Sequence, residues 1–258
     1  MKNQTPTINI FEKAARKAGK ALIHDFGEIE NLQIQTKNIG DFVTNADLKV
    51  EKILYETLKY YYPQYSFLME EKGLIKGNDE ETIVIDPIDG TTNFIHGIPM
   101  FAIVIAKIVK NEITDGVIFN PSSNEFFWSS KGSGSWCNNK RIRVSKREDL
   151  SECIISTSIP HSNNKNSENL SQISKIKNIC SGIRCMGSAA LDLAYVASGK
   201  LDGCWEKDLN IWDMAAGVLI VKEAGGKVTK ILDDQWSCDS KEILASNSII
   251  HQELQKKL

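Results

Sequence analysis

Several common motifs of catalysis and metal binding are missing from this 258-residue sequence. Its six cysteines include no pair spaced as CxxC, and its four histidines show no metal-ligand spacing, so we expect no zinc site. The phosphate-binding patterns GxxxxGK(S/T) and GxGxxG and the serine-hydrolase pattern GxSxG are also absent. These absences argue against a P-loop nucleotide hydrolase, a dinucleotide-dependent enzyme and a serine hydrolase.

An excess of either charge is missing as well. The 31 basic and 33 acidic residues give a net charge of -2, which provides no general attraction to nucleic acid or anionic lipid. The N-terminal residues lack the apolar core of a signal peptide, and the apolar stretch at residues 101–109 is short and interrupted by Lys107. We therefore expect a cytoplasmic protein with reduced thiols, no membrane partner and no nucleic-acid partner.

The composition is that of a packed globular protein. Hydrophobic residues make up 41% of the sequence and charged residues 25%, values that argue against extensive disorder. The length suits one domain spanning residues 1–258, and the alternative is two closely packed halves that divide near residues 150–185.

Helices are predicted where apolar residues recur at intervals of three or four. In the first predicted helix, these residues are Ile8, Phe11, Ala15, Ala18, Leu22 and Phe26. A second helix is predicted to begin near Thr44 and to end before Pro63. Further helices are predicted at residues 188–198 and 211–224, and two glycines end the last of these.

Strands are predicted at residues 83–86, 101–109, 113–119, 125–129, 153–158, 201–205 and 242–245, with turns at residues 110–111 and 120–123. The segment at residues 162–174 is rich in Asn and Ser and is predicted to be a mobile surface loop, with a helix directly after it as an open alternative. This order does not follow a regular βαβ repeat. It predicts an α/β (α+β) fold in which helices and mixed sheets form layers.

The segment at residues 82–94 carries the strongest chemical signal. Asp86 and Asp89 lie three residues apart at the end of a β-branched apolar run, and Gly90 and Thr91 follow directly. Neighbouring carboxylates repel each other unless a cation neutralises them, and Mg²⁺ prefers such oxygen ligands. Backbone amides at a helical turn opened by Gly90 and Thr91 would bind phosphate. An ordinary strand-end turn capped by Thr91 is the alternative.

Three other acidic residues are candidates for the same site, each with a structural alternative. Glu70 belongs to a Glu–Glu pair shortly before that strand, although such pairs are usually solvated. Asp213 falls in the first turn of a predicted helix, where the helix dipole also favours an acidic residue. Asp47 is placed either to form a capping box with Thr44 or to take a proton from a water, directly or through Thr91. The sequence does not separate these roles.

Two segments resemble the signature motifs of the inositol monophosphatase family, namely DPIDGTTNF at residues 86–94 and WDMAAG at residues 212–217. Segments that include Lys37, Asp47 and the Glu70–Glu71 pair follow the family's order, so the resemblance covers nearly the whole chain. It implies a layered αβαβα sandwich of the sugar-phosphatase type, a homodimer, Mg²⁺ as cofactor and inhibition by lithium. Met69 departs from the pattern, because the family often has Gly or Ser before the Glu pair.

The resemblance also implies roles for individual residues. The implied metal ligands are the carboxylates of Glu70, Asp86, Asp89 and Asp213 and the backbone carbonyl of Ile88. The implied catalytic residues are Asp47, Thr91 and Glu70, and among them Thr91 and Asp47 would orient and activate a water. The implied substrate contacts are the amides of Gly90 and Thr91 at the phosphate, and Asp89, Gly187, Ser188, Ala189, Glu206 and Asp213 around the rest of the substrate.

The reaction implied by the resemblance is hydrolysis of a phosphate monoester by a metal-activated water, without a covalent phosphoenzyme. Inositol 1-phosphate is the favoured substrate, because Glu206 matches the acidic hydroxyl acceptor of many inositol phosphatases. Fructose-1,6-bisphosphatase, 3′(2′),5′-bisphosphate nucleotidase and histidinol-phosphatase activities are alternatives within the same superfamily. A regulatory protein that keeps the fold and binds RNA or a protein partner is an alternative of a different class.

Overall fold

The computed structural model of this chain describes residues 4–26, 34–38, 41–159 and 166–258. The helices within these ranges are α1 Pro6–Phe26, α2 Asn45–Tyr61, α3 Thr91–Ile95, α4 Asn166–Lys177, α5 Ala189–Ala197, α6 Ile211–Glu223 and α7 His251–Lys257. The strands within them are β1 Ile34–Asn38, β2 Asp41–Thr44, β3 Tyr65–Met69, β4 Gly73–Ile75, β5 Asn78–Asp89, β6 Ala102–Val109, β7 Glu112–Asn120, β8 Glu125–Ser130, β9 Ser135–Cys137, β10 Lys140–Ile142, β11 Ile154–Thr157, β12 Gly182–Arg184, β13 Gly203–Lys207, β14 Gly226–Thr229 and β15 Glu242–Asn247.

The strands form two larger sheets and one small one. Eight strands are hydrogen-bonded in the order β10-β9-β8-β7-β6-β5-β3-β4, and five in the order β12-β11-β13-β15-β14. Strands β1 and β2 form an antiparallel pair. Both larger sheets are mixed, because β3 runs parallel to β5 and β11 runs parallel to both of its neighbours, whereas other pairs are antiparallel.

Helices and sheets alternate as layers. Helices α1 and α2 cover one face of the eight-stranded sheet through the hydrophobic cluster that contains Ile85. Helices α5 and α6 cover its other face and also contact the five-stranded sheet, through the cluster that contains Val84 and Ile243. Helices α4 and α7 pack around Trp205 on the outer face of the five-stranded sheet. This arrangement confirms the predicted αβαβα sandwich.

Most of the predicted elements are observed near their expected bounds. Helix α1 buries the apolar positions that define its period, including Phe11 and Leu22. Thr44 is the N-cap of α2, as expected, and its Oγ1 accepts a hydrogen bond from Ala46 N at 3.1 Å. The seven predicted strands are observed as β5, β6, β7, β8, β11, β13 and β15, with bounds that differ most for β5, which begins at Asn78 and not at residue 83.

The prediction of a mobile loop over residues 162–174 is wrong for residues 166–174, which belong to α4. Residues 162–165 lie outside the described ranges. Ile173 and Ile176 face the cluster around Trp205, and the Gln172 side chain donates to the Leu258 carbonyl at 3.0 Å. The Asn- and Ser-rich composition concealed this short apolar face, and packing against α7 and the sheet stabilises the helix.

Helix α6 carries Asp213 and is fixed in place by close contacts. A Cβ atom placed on Gly217 would lie 2.4 Å from Leu193 Cδ1 and 2.6 Å from Leu193 Cβ, both on α5. On the sheet side, a Cβ placed on Gly116 of β7 would lie 2.9 Å from Ala216 Cα. Small residues on both sides therefore let α6 lie between α5 and β7, which determines the position of Asp213.

We expect Gly217→Ala to destabilise the protein. Overpacking against Leu193 costs about 1–3 kcal/mol in the free energy of unfolding, whereas the better helix propensity of Ala recovers at most ~1 kcal/mol. Urea denaturation of both proteins measures the difference. A variant as stable as the wild type would show that α5 and α6 are not packed as closely as described.

His251, the first residue of α7, is buried between two hydroxyl groups. Its side chain is 0% exposed, its Nδ1 lies 2.8 Å from Ser246 Oγ and its Nε2 lies 3.0 Å from Thr229 Oγ1. Burial is the main reason that the pKa of His251 falls from its usual value of 6.5 to about 4. The folded protein therefore holds this imidazole neutral at pH values where the unfolded chain protonates it.

His251 is expected to make stability dependent on pH. Above pH 6.5 the imidazole is neutral in both the folded and the unfolded protein, so its full contribution to stability is present. As the pH falls towards 4, the unfolded chain takes up a proton that the folded protein does not, which lowers the free energy of unfolding by up to about 3 kcal/mol. The difference in this free energy between the wild type and His251→Asn should therefore shrink on acidification. Urea denaturation on both sides of this range measures it, with His24→Asn, whose side chain is 71% exposed, as control. A difference that stays constant with pH would contradict the expectation.

Candidate functional site

The candidate site forms where β3 and β5 end side by side. In their parallel pairing Met69 lies opposite Ile85, so the residues that follow, Glu70 and Asp86, are neighbours at the sheet edge. The Glu70 N–H donates to the Ile85 carbonyl at 3.2 Å, which extends the pairing by one residue. Strand register thus brings Glu70 to the strand that carries Asp86.

A β-bulge turns both aspartates of β5 towards one side. Asp86 pairs with Val104 and Asp89 with Ala102, so two residues of β5 lie opposite one residue of β6. Residues three apart on a regular strand point to opposite faces, and the extra residue corrects this. The bulge also accommodates Pro87, which lacks an N–H for the ladder.

Asp213 completes a cluster of three carboxylates. One oxygen from each of Asp86, Asp89 and Asp213 lies within 4.8 Å of the others. Asp86 and Asp89 are only 1% and 8% exposed, and Asp213 is half-buried. The Asn210 N–H donates to Asp213 Oδ2 at 2.6 Å. Asp213 therefore accepts a capping hydrogen bond at the start of α6 and also belongs to the cluster.

The electrostatics of this cluster and of the neighbouring Glu70 favour a cation. Burial raises the pKa of Glu70 to about 8 and that of Asp213 to about 7, and repulsion from neighbouring carboxylates adds to both shifts. Burial and repulsion raise the pKa of Asp86 well above its usual value, and burial raises that of Asp89 to about 6. A divalent cation would relieve this repulsion, and four carboxylates are the oxygen donors that such an ion prefers. The residues present therefore fit a metal ion.

Thr91 connects the cluster to Asp47. The Thr91 hydroxyl lies 2.9 Å from the Ile88 carbonyl oxygen and 3.3 Å from Asp47 Oδ1. The other oxygen of Asp47 accepts hydrogen bonds from Thr44 N at 2.7 Å and from Thr44 Oγ1 at 2.6 Å. One oxygen of Asp47 thus caps α2 while the other faces Thr91. Burial raises the pKa of Asp47 to about 6.

Asn93 holds the turn after Asp89 against the loop that precedes α5. Its Nδ2 donates to the Met100 carbonyl at 2.7 Å and to the Met186 carbonyl at 2.8 Å. Gly187 has φ 77°, and a Cβ atom there would lie 2.8 Å from Asn93 Nδ2, so both its conformation and this contact require Gly. No role for Asn93 is predicted from the sequence, where its place within DPIDGTTNF is the one available signal.

The start of α5 contacts the acidic cluster directly. The Ser188 hydroxyl donates to Asp89 Oδ2, and the Ala190 N–H donates to the same oxygen at 3.0 Å. Ser188 also caps α5, since its Oγ accepts from the Leu191 N–H at 3.3 Å. The structure therefore brings Gly187, Ser188 and Ala189 to the side of Asp89.

Glu206 lies on β13 with its carboxylate engaged by its neighbours. The side chain is 2% exposed, and its Oε2 accepts hydrogen bonds from the Ser158 N–H at 3.1 Å and from the Ser158 hydroxyl. Asp192 of α5, which is 1% exposed, adjoins Glu206. Burial raises the pKa of Glu206 to about 7, and burial and the charge of Glu206 raise that of Asp192 well above its usual value. A single proton shared between the carboxyl groups of Asp192 and Glu206 would relieve the repulsion between them.

Three predictions concern features outside the acidic cluster. Lys37 belongs to one of the segments that carry the family resemblance, and its side chain lies outside the described part of the chain. The six cysteines, all in the described ranges, are free thiols. Among the helices described, none combines the length and apolar character needed to cross a bilayer.

Comparison with known proteins identifies the family. The model of the inositol monophosphatase family matches residues 3–258. Over 251 residues the chain is 43% identical to inositol-1-monophosphatase of Mesorhizobium japonicum, covering 96% of this chain and 94% of the relative. It is 40% identical to Nus factor SuhB of Vibrio cholerae, covering 94% and 91%. The crystal structure of the extragenic suppressor protein suhB from Bartonella henselae superimposes with a TM-score of 0.95 at 44% identity, covering 98% of both chains. The chain therefore belongs to the inositol monophosphatase family.

Proposed function

We propose that this protein is a Mg²⁺-dependent phosphate monoester hydrolase that converts inositol 1-phosphate to myo-inositol and phosphate. The observation that carries the proposal is the convergence of Asp86, Asp89 and Asp213 within 4.8 Å of one another, at a site that Thr91 links to Asp47. The relative named inositol-1-monophosphatase, at 43% identity over nearly the whole chain, supports the choice of substrate.

The proposed metal ligands are the four carboxylates of Glu70, Asp86, Asp89 and Asp213, together with the Ile88 carbonyl. Mg²⁺ suits this set because it prefers hard oxygen donors and is commonly bound through carboxylates and substrate phosphate. When bound, the metal makes water more acidic and offsets the negative charge that develops on the leaving oxygen.

Thr91 and Asp47 orient the attacking water and accept its proton. With its hydrogen directed to Asp47 Oδ1, 3.3 Å away, the Thr91 hydroxyl has a lone pair that can accept a hydrogen bond from the water. The proton passes through Thr91 to Asp47, the water oxygen attacks phosphorus, and the bond from phosphorus to the ester oxygen breaks. The ester oxygen leaves as an alkoxide and takes a proton from solvent water, and Asp47 later releases its proton to solvent. The pKa of Asp47, raised by burial to about 6, suits a base that works near neutral pH. Glu70 completes the proposed catalytic group.

The remaining site residues are proposed to bind the substrate. The amides of Gly90 and Thr91 hold the phosphate, and the polyol lies against Asp89, Gly187, Ser188, Ala189, Glu206 and Asp213. We also propose that residues 1–258 form a single domain, that the protein is a cytoplasmic homodimer, and that lithium inhibits it.

A phosphate-release assay over a panel of substrates tests the proposed function. We expect Mg²⁺-dependent release with the highest kcat/KM for inositol 1-phosphate. The competing substrates are fructose 1,6-bisphosphate, a 3′,5′-bisphosphate nucleotide and histidinol phosphate. A higher kcat/KM for any of these would overturn the substrate assignment, although the reaction class would stand.

A regulatory role is a second candidate function. The relative from Vibrio cholerae is named Nus factor SuhB at 40% identity over most of the chain, a name that refers to no phosphatase activity. If the folded wild type released no phosphate from any substrate in the presence of Mg²⁺, a regulatory role would be favoured over catalysis.

A further inference from the structure

Glu51 is a buried acidic residue that the proposed mechanism does not use. It lies on α2 four residues after Asp47, and its side chain is 0% exposed. Its Oε2 accepts a hydrogen bond from the Glu71 N–H at 2.8 Å. Burial raises the pKa of the Glu51 carboxyl, and the N–H groups of Glu71 and Lys72 lower it. Burying a carboxyl group is costly unless hydrogen bonds compensate, so this contact calls for an explanation.

The amides that face Glu51 belong to the segment that carries Glu70. Met69 of β3 pairs with Gly73 of β4, so residues 70–72 form the connection of this hairpin. Among the strands that the structure describes, β4 is the last of the eight-stranded sheet and pairs only with β3. On the side of β5, the Glu70 N–H is held by the Ile85 carbonyl at 3.2 Å. The hydrogen bond to Glu51 anchors the connection on the opposite side, to α2.

Helix α2 contacts the same connection at a second point. The Lys72 Nζ lies 5.9 Å from the centroid of the Tyr55 ring, which is one turn after Glu51. Asp47, Glu51 and Tyr55 follow one another at intervals of four residues and therefore share one face of the helix. On this face, Asp47 contacts the Thr91 hydroxyl, Glu51 accepts from the Glu71 N–H, and Tyr55 faces the Lys72 ammonium group.

We propose that Glu51 is a positioning residue for the metal centre. Its carboxylate fixes the Glu71 N–H, and the anchored connection holds the Glu70 carboxylate beside Asp86. The inference rests on the proposed function, because it assigns Glu70 to the metal. Residues that orient metal ligands commonly change metal affinity by about 10–100-fold when they are replaced.

The test compares three substitutions of Glu51 with a matched control on the same helix. Glu51→Leu removes the acceptor, Glu51→Asp keeps the charge but shortens the side chain, and Glu51→Gln keeps a carbonyl acceptor. The control is Glu56→Gln, whose side chain is 59% exposed. Mn²⁺ binding to metal-free protein, measured by electron paramagnetic resonance, reports the metal site without turnover. The kcat/KM for inositol 1-phosphate is measured in parallel.

We expect Glu51→Leu to weaken Mn²⁺ binding by about 10–100-fold and Glu51→Asp to weaken it less. Glu51→Gln should stay within about threefold of the wild type, because a neutral carbonyl still accepts the Glu71 N–H. Glu56→Gln should bind Mn²⁺ as the wild type does. Circular dichroism and thermal unfolding identify the variants that are folded.

Wild-type Mn²⁺ affinity in folded Glu51→Leu would overturn the inference, and so would equal losses in Glu51→Gln and Glu51→Leu. If Glu51→Leu does not fold, a wild-type affinity in Glu51→Asp overturns it. The proposed function can fail separately. A wild type that binds Mn²⁺ but hydrolyses no phosphate monoester refutes the function, while the affinities of the variants still decide the role of Glu51.

Discussion

Asp89→Asn is expected to lower kcat/KM by about 10³-fold or more while the protein stays folded. Stabilisation of charge at the reacting phosphoryl group contributes several kcal/mol, and each 1.4 kcal/mol corresponds to roughly tenfold in rate. The Asn side chain keeps one oxygen that can accept from the Ser188 hydroxyl and the Ala190 N–H, as Asp89 Oδ2 does. It also removes one charge from a buried cluster of like charges. In the absence of metal, the variant should therefore be at least as stable as the wild type.

Asp115→Asn is the matched control for this experiment. Asp115 is 7% exposed, close to the 8% of Asp89, and accepts hydrogen bonds from Ser130 Oγ at 2.6 Å and Thr114 Oγ1 at 3.0 Å. We expect Asp115→Asn to keep activity near that of the wild type, whether or not the substitution changes the free energy of unfolding. Steady-state kinetics and thermal unfolding of both variants are the measurements. Near-normal activity in folded Asp89→Asn would remove Asp89 from the metal centre.

Thr91→Ala is expected to lower kcat by about 10²–10⁴-fold, the usual contribution of a positioned acid–base group. The substitution removes the hydroxyl that lies 3.3 Å from Asp47 Oδ1, so the attacking water loses its path to the base. The KM should change far less, because the backbone amide of residue 91 remains available to the phosphate. Steady-state kinetics with inositol 1-phosphate measure both parameters.

Thr91→Ser separates the hydroxyl from the rest of the side chain. Ser keeps an oxygen that can contact both Asp47 and the Ile88 carbonyl, which is 2.9 Å from Thr91 Oγ1. We expect Thr91→Ser to retain kcat within about tenfold of the wild type, because most of the acid–base contribution depends on the hydroxyl. Equal losses in the Ala and Ser variants would indicate that packing by the methyl group, and not proton transfer, matters at this position.

Local patterns predicted the helices in which the apolar period repeats over many turns. Helices α1 and α2 span 21 and 17 residues, enough turns for their buried stripes to be read directly. Short elements escaped prediction, including β9, β10 and β12, each of three residues. A strand of three residues contains less than two full alternations of apolar and polar side chains, so its pattern gives no clear signal. Pairing with neighbouring strands decides its conformation. Helix α4 escaped for a similar reason, because Ile173 and Ile176 were outnumbered by polar residues.

Most of the candidate site was named from the sequence, but its geometry depends on contacts between distant segments. The motif predicted Asp86 and Asp89, whereas the bulge that turns them to one side follows from pairing with β6. Glu51 lies within a helix predicted from its apolar period, and the local pattern indicates no role for it, since its partner, the Glu71 N–H, lies 20 residues away. Glu206 was predicted to face the substrate, and its contacts with Ser158 arise only when β11 and β13 pair.

The proposed metal centre is tested most directly by the crystal structure of the protein grown with Mn²⁺ and inorganic phosphate, with the metal located by anomalous scattering. We predict metal peaks within coordination distance of Glu70, Asp86, Asp89 and Asp213, and a phosphate bound to the amides of Gly90 and Thr91. Metal bound elsewhere, or these four carboxylates without metal at saturating Mn²⁺, would show that they do not form the metal centre.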